Sequence, residues 1–144
     1  MEKPIPKLVR QGKRTRFLVD GRPFIMLAGE IHNSSSSSLD YMEERVWDKL
    51  LACRCNTAIV PVYWELMEPK EGRFDFTLVD GLLDGARRRG LRLVLLWFGT
   101  WKNAMSSYAP AWVKTDTRRF FRAQTAPGIT SRTISPLCQA ACRA

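Results

Sequence analysis

Apolar residues along this chain fall into two patterns, short continuous runs and stripes at spacings of three and four. Residues 57–62 and 91–98 are runs, the second apolar throughout after Arg92, and such runs predict strands buried on both faces of a parallel sheet. Pro61 is unusual for a central strand and predicts a local irregularity. Between the runs, Leu78, Val79, Leu82, Leu83 and Ala86 mark the buried face of a helix, with Thr77 as its expected N-cap and Gly90 as its stop. Gly81 and Gly85 weaken that helix. An earlier stripe of Met42, Val46, Trp47, Leu50 and Leu51 predicts a helix ending near Cys53. The serines at 34–38 before it read as a loop that supplies the N-cap.

Nearer the N-terminus, residues 16–19 and 22–27 flank Asp20-Gly21, which predicts a β-hairpin because that dipeptide readily takes the positive φ angles of a tight turn. The second arm leads into Gly29-Glu30-Ile31-His32-Asn33. The order strand, helix, strand, helix, strand implies right-handed crossovers and an α/β fold with a parallel sheet. Beyond Trp112 the periodicity fades. Residues 113–136 read as an extended loop and 136–144 as the start of a third helix, dividing the chain into 1–112 and 113–144.

With 144 residues, 45% of them hydrophobic, the chain suits one globular domain with a sizeable core. No apolar run approaches the roughly 20 residues that span a bilayer, and the start lacks the apolar region of a signal peptide. The expectation is a soluble chain, cytoplasmic by default and without a membrane partner. The formal charge of +9 raises nucleic acid as a partner. Its distribution argues otherwise, since Arg87, Arg88 and Arg89 complement the negative end of a helix and the rest concentrate near the two termini. Cys53, Cys55, Cys138 and Cys142 lack paired C-x-x-C spacing, and the one histidine, His32, is far from them, so neither metal nor cofactor is expected.

The candidate chemistry gathers at strand exits. Val62-Tyr63-Trp64-Glu65-Leu66-Met67-Glu68-Pro69 carries an apolar strand into aromatic rings and two carboxylates, where α/β folds build their sites. Tyr and Trp offer a flat face to the C–H side of a sugar ring, and carboxylates accept from hydroxyls or do acid/base work. The same residues also fit a buried strand end with two surface glutamates.

The segments FLVDGRPFIML, GEIHN, NTAIVPVYWELMEPKEGRFDF, TLVDG, LRLVLLWFGTWKN and PAWV, in this order, resemble glycoside hydrolase family 35, the β-galactosidases, and more loosely family 42. The resemblance spans most of the chain. It implies a partial (β/α)8 TIM barrel, about the first three β/α units preceded by a bottom-closing hairpin. It further implies that a terminal β-galactoside is held by Glu30, His32 and Asn33 after strand one, Tyr63, Trp64, Glu65 and Glu68 after strand two, and Trp97, Trp101 and Asn103 after strand three. His32 also fits a helix cap, and Glu68 a loop anchor. Two departures loosen galactose specificity: Asn33 stands where a tyrosine often follows the histidine, and Glu65 where an asparagine often follows the tryptophan.

In the family the acid/base glutamate follows strand four and the nucleophile strand seven, beyond the third strand predicted here. A full barrel takes about 250 residues. The expectation is therefore an enzyme portion that is inactive and aggregation-prone by itself, or alternatively a non-catalytic module that complements a separate chain carrying the rest of the barrel.

Overall fold

The computed structural model describes residues 4–102, 107–126 and 128–143. Its first sheet is antiparallel, with β1 (Lys7–Gln11), β2 (Arg14–Val19) and β3 (Arg22–Pro23) in that order. The turn between β2 and β3 has positive φ at Asp20 (50°) and Gly21 (76°), as the dipeptide predicts. β1 is an addition to the expected hairpin. It is mostly exposed, so no buried face marks it in the sequence. The second arm is shorter than expected, although the Phe24 N–H still donates to the Phe17 carbonyl at 2.9 Å.

The second sheet is parallel, in the order β4 (Ala28–Glu30), β5 (Thr57–Tyr63), β6 (Arg92–Phe98). The side-chain period of two divides β5 cleanly. Ala58 and Val60 join the helix-facing core, while Thr57, Ile59, Pro61 and Tyr63 turn to the opposite face. The irregularity expected at Pro61 is absent, and β5 and β6 stay in register from Thr57↔Arg92 to Tyr63↔Phe98. Ile59 accepts from Ile31 on the β4 side, so Pro61, two residues on, turns its missing N–H to the same side, beyond the end of β4. Its carbonyl is taken by the Ser36 hydroxyl at 2.7 Å. No ladder bond is lost.

A 3-10 turn at Ser35–Ser37 leads into α1 (Leu39–Tyr41), a π-helical stretch at Met42–Val46 and α2 (Trp47–Ala52). Ser38 caps this run by accepting from the Tyr41 N–H. α3 (Trp64–Met67) follows β5 directly, and α4 (Thr77–Arg88) returns the chain to β6. Thr77 is the first helical residue rather than the cap; Phe76 holds that position and Asp75 Oδ1 accepts the Thr77 N–H at 2.9 Å. Met42, Val46, Trp47, Leu50, Ala58, Val60, Leu82, Ala86 and Leu91 close into one core. A Cβ at Gly81 would press on Leu39 of α1 and one at Gly85 on the Trp47 indole of α2, and at Gly85 helix propensity is given up for that close packing.

At the other end of the sheet Asn56 accepts from the Leu27 N–H and donates to the Ile25 carbonyl, and Arg92 pairs with Asp20. The antiparallel sheet is thereby tied beneath the starts of β5 and β6.

Residues 113–136, expected as a loop, are largely ordered. α5 (Ala111–Thr115) is followed by the antiparallel pair β7 (Arg122–Gln124) and β8 (Thr130–Ile134), then α6 (Gln139–Arg143). Of β8 only Ile134 is fully buried, too little to leave an apolar period. Ala109, Val113, Phe120, Ile134 and Cys138 form a second core around Trp64.

Candidate functional site

The carboxyl ends of β4, β5 and β6 open onto one end of the parallel sheet, and the register decides which candidates share a face. Glu30 pairs with Ile59 and Tyr63 with Phe98, so these side chains emerge on the face away from the helices. Tyr63, Phe98 and Tyr108 make an aromatic cluster there, with ring centroids 5.0–6.0 Å apart. Lys102 Nζ lies 4.1 Å from the Phe98 centroid, within cation–π range.

Tyr63 is 2% exposed. Its phenol lies 2.8 Å from Ser36 Oγ, whose own proton goes to the Pro61 carbonyl, so Tyr63 is the donor of the pair. Burial pushes the Tyr63 phenol above its ordinary value, partly opposed by the Ser36 hydrogen bond. The relay fixes the loop after β4 against the end of β5. It places exposed His32 and half-buried Asn33 along a groove shared with Ser34, Ser35, Ser37, Ser38 and Tyr41.

Trp64, Glu68 and Trp97 go elsewhere. Trp97 pairs with Val62 and stands on the helix-side face, 57% exposed, its ring 6.5 Å from that of Trp64. Trp64 is buried in the second core and touches Trp112 edge-on at 5.7 Å. Glu68 is only 4% exposed: Oε2 accepts from Trp64 Nε1 at 2.8 Å, Oε1 accepts from the Gly72 N–H at 2.7 Å, and its carbonyl accepts from Trp112 Nε1 at 3.0 Å. A carboxyl group with both oxygens committed inside a core anchors a loop. At 4% exposure little of it is left for a ligand to reach.

Glu65 remains half-exposed and pairs with Lys114 at 2.7 Å, which ties α3 to α5. Trp101 is exposed, and Asn103 lies outside the described residues. Ser36, Tyr108 and Lys114 went unnoticed as site-shaping residues. Ser36 sits in a serine run, and the Tyr108–Tyr63 and Lys114–Glu65 contacts join residues 45 and 49 apart in the chain. Among the described residues no cluster of His, Cys, Asp and Glu could hold a metal ion, and no helix is long and apolar enough to cross a membrane.

The comparisons with known proteins agree with this layout. A sequence profile of the glycosyl hydrolases family 35 matches residues 16–130. This chain belongs to that family. It is 34% identical over 84 residues to a β-galactosidase from Xanthomonas manihotis, covering 56% of this chain and 14% of that protein. It is 36% identical over 64 residues to human β-galactosidase-1-like protein 3, covering 44% of this chain and 10% of that protein. Among solved structures it resembles the exo-β-1,4-mannosidase Op5Man5 from Opitutaceae bacterium strain TAV5, with 26% identity and a TM-score of 0.53 over 70% of this chain and 19% of that one. The chain thus spans less than a fifth of each of these proteins. A parallel sheet with helices on one face, in a family 35 chain, is a partial TIM-barrel-like α/β fold.

Proposed function

We propose that this chain is the first three β/α units of a β-galactosidase-like glycoside hydrolase and forms part of the pocket for a terminal β-galactoside. The observation that carries the reading is the common face of Glu30 and the Tyr63–Phe98–Tyr108 cluster at the strand exits, in a family 35 chain. Glu30, His32, Asn33, Glu65 and Asn103 are the proposed contacts of the terminal sugar, with Tyr63 as part of the aromatic floor and Trp101 farther out. Trp64, Glu68 and Trp97 are assigned to the scaffold behind them.

Retaining hydrolysis needs two carboxyls about 5–5.5 Å apart, one nucleophile and one acid/base. Glu68 is committed to Trp64 and Gly72 within the scaffold, and Glu65 is paired with Lys114, so neither is placed as a nucleophile or acid/base here. The chain alone is expected to bind galactose weakly and to turn over no chromogenic β-galactoside. Turnover abolished by Glu65→Gln would overturn the assignment of the catalysts to other strands.

Exposed apolar groups favour a second reading. Leu95 (45% exposed) and Trp97 lie along β6, and Leu8, Ile25 and Leu27 are exposed at the opposite end, an arrangement suited to a module that complements further barrel strands in another chain. Mixing with a polypeptide that carries those strands and assaying for recovered turnover separates the two readings.

A further inference from the structure

We propose that the β7–β8 hairpin and Trp101 build an outer saccharide subsite, for the sugar unit beyond the terminal one. Thr100 and Trp101, just after β6, face Thr133, Ile134 and Pro136, at the end of β8, across a cavity of about 360 Å³. That volume falls within the range of small-molecule sites, about 300–1,000 Å³. The inference rests on the galactoside reading above and extends it to a region outside the strand-exit cluster.

Three observations set the ligand chemistry. Trp101 is 56% exposed, and among the described residues no aromatic ring or cation stacks on its indole, so a flat apolar face is open. The hydroxyls of Thr100 and Thr133 make no hydrogen bond among the described residues and remain able both to donate and to accept. Among the described residues no charged side chain lines the cavity, which disfavours phosphates, nucleotides and carboxylates. An uncharged ligand with an apolar face and hydroxyl edges matches all three, and a sugar ring is such a ligand.

The wall is also pre-formed. Ile134 is 2% exposed in the core around Trp64, the Ser135 N–H donates to the Phe121 carbonyl at 2.9 Å, and Cys138, buried beneath, reaches the Arg119 carbonyl. These contacts fix Thr133 and Pro136 before any ligand arrives, which reduces the ordering cost of binding.

The test compares galactose with β-1,4-galactotriose by saturation-transfer NMR on the full chain, native and as Trp101→Ala and Thr133→Tyr, the second filling the cavity. Stacking on one indole corresponds to about a two- to tenfold gain in affinity. The expected result is a trisaccharide preference of that size in the native chain, reduced to about one in both variants. Native binding of galactose with no trisaccharide preference overturns the subsite and leaves the galactoside reading standing, as does a preference that survives both substitutions. Binding of neither sugar overturns both. Trp101 is exposed, so if Thr133→Tyr does not fold the Trp101→Ala ratio decides.

Discussion

Glu68 offers the sharpest division between a scaffold and a sugar ligand. Replacing it with Gln keeps one acceptor oxygen and puts an NH2 in place of the other, so either Trp64 Nε1–H or the Gly72 N–H faces a second donor. A buried donor left without a partner costs about 1–3 kcal/mol. Replacement with Ala removes both acceptors. Gly72 is exposed and its N–H can turn to water, so the Trp64 side dominates and the expected loss is about 2–5 kcal/mol. For a chain of this size a loss of about 2 kcal/mol lowers the melting temperature by roughly 6–8 °C. Thermal unfolding followed by tryptophan fluorescence reads this directly, since Trp64 and Trp112 both bond to Glu68. Melting temperatures unchanged in both variants, combined with weakened galactose binding, would refute the anchor and return Glu68 to the pocket.

The paired glycines of α4 are expected to respond differently. Gly81→Ala meets the end of Leu39, which is partly exposed and can swing aside, so helix propensity of about 1 kcal/mol leaves the change neutral or stabilising. Gly85→Ala meets the buried Trp47 ring at 3.1–3.2 Å and is expected to destabilise by about 1–3 kcal/mol; equal melting temperatures for the two would contradict the packing argument. Ser36→Ala strands the Tyr63 hydroxyl and the Pro61 carbonyl and should cost about 2–4 kcal/mol, with a double-mutant cycle against Tyr63→Phe giving less than the sum. Because the folded Tyr63 pKa is raised, its contribution is complete below its ordinary value of 10.0 and is lost as pH rises through the folded one. A spectrophotometric titration should show one late phenol that Tyr63→Phe removes. On the acid side, hydrogen bonds from Arg89, Arg119 and Thr77 lower Glu43, Glu71 and Asp75, respectively. Their stabilisation is present above the ordinary carboxylate range and lost as pH falls through the depressed values. The melting temperature should hold down to about pH 5 and fall below about pH 4, less steeply in the Glu43→Gln, Glu71→Gln double variant; an unchanged slope would remove these pairs from the account.

The parallel strands and their helices were legible because each buries a face, and burial leaves a period in the residues: the run at 91–98 and the stripe from Met42 to Leu50 say where they lie without any partner being known. β1 and the β7–β8 hairpin were not, because strands held mainly by backbone pairing and one buried residue carry no such period. The candidate site divides in the same way. A strand exit rich in Tyr, Trp and Glu is visible in the chain, but whether each side chain meets solvent or a core depends on what the fold packs against it, near or far in sequence.

The sequence by itself determined the family, the parallel β/α order and the strand ends where polar chemistry gathers, since these follow from local periodicity and from the order of short segments. Only the tertiary structure decided the roles within that set. It turned Glu30 and Tyr63 to the face away from the helices and Trp97 to the helix side through strand register, and committed Glu68 to Trp64, Gly72 and Trp112. The physical reason is that a carboxylate or an indole is chemically the same wherever it appears in a chain. What it does is set by which donors, rings and solvent the fold brings to its edges.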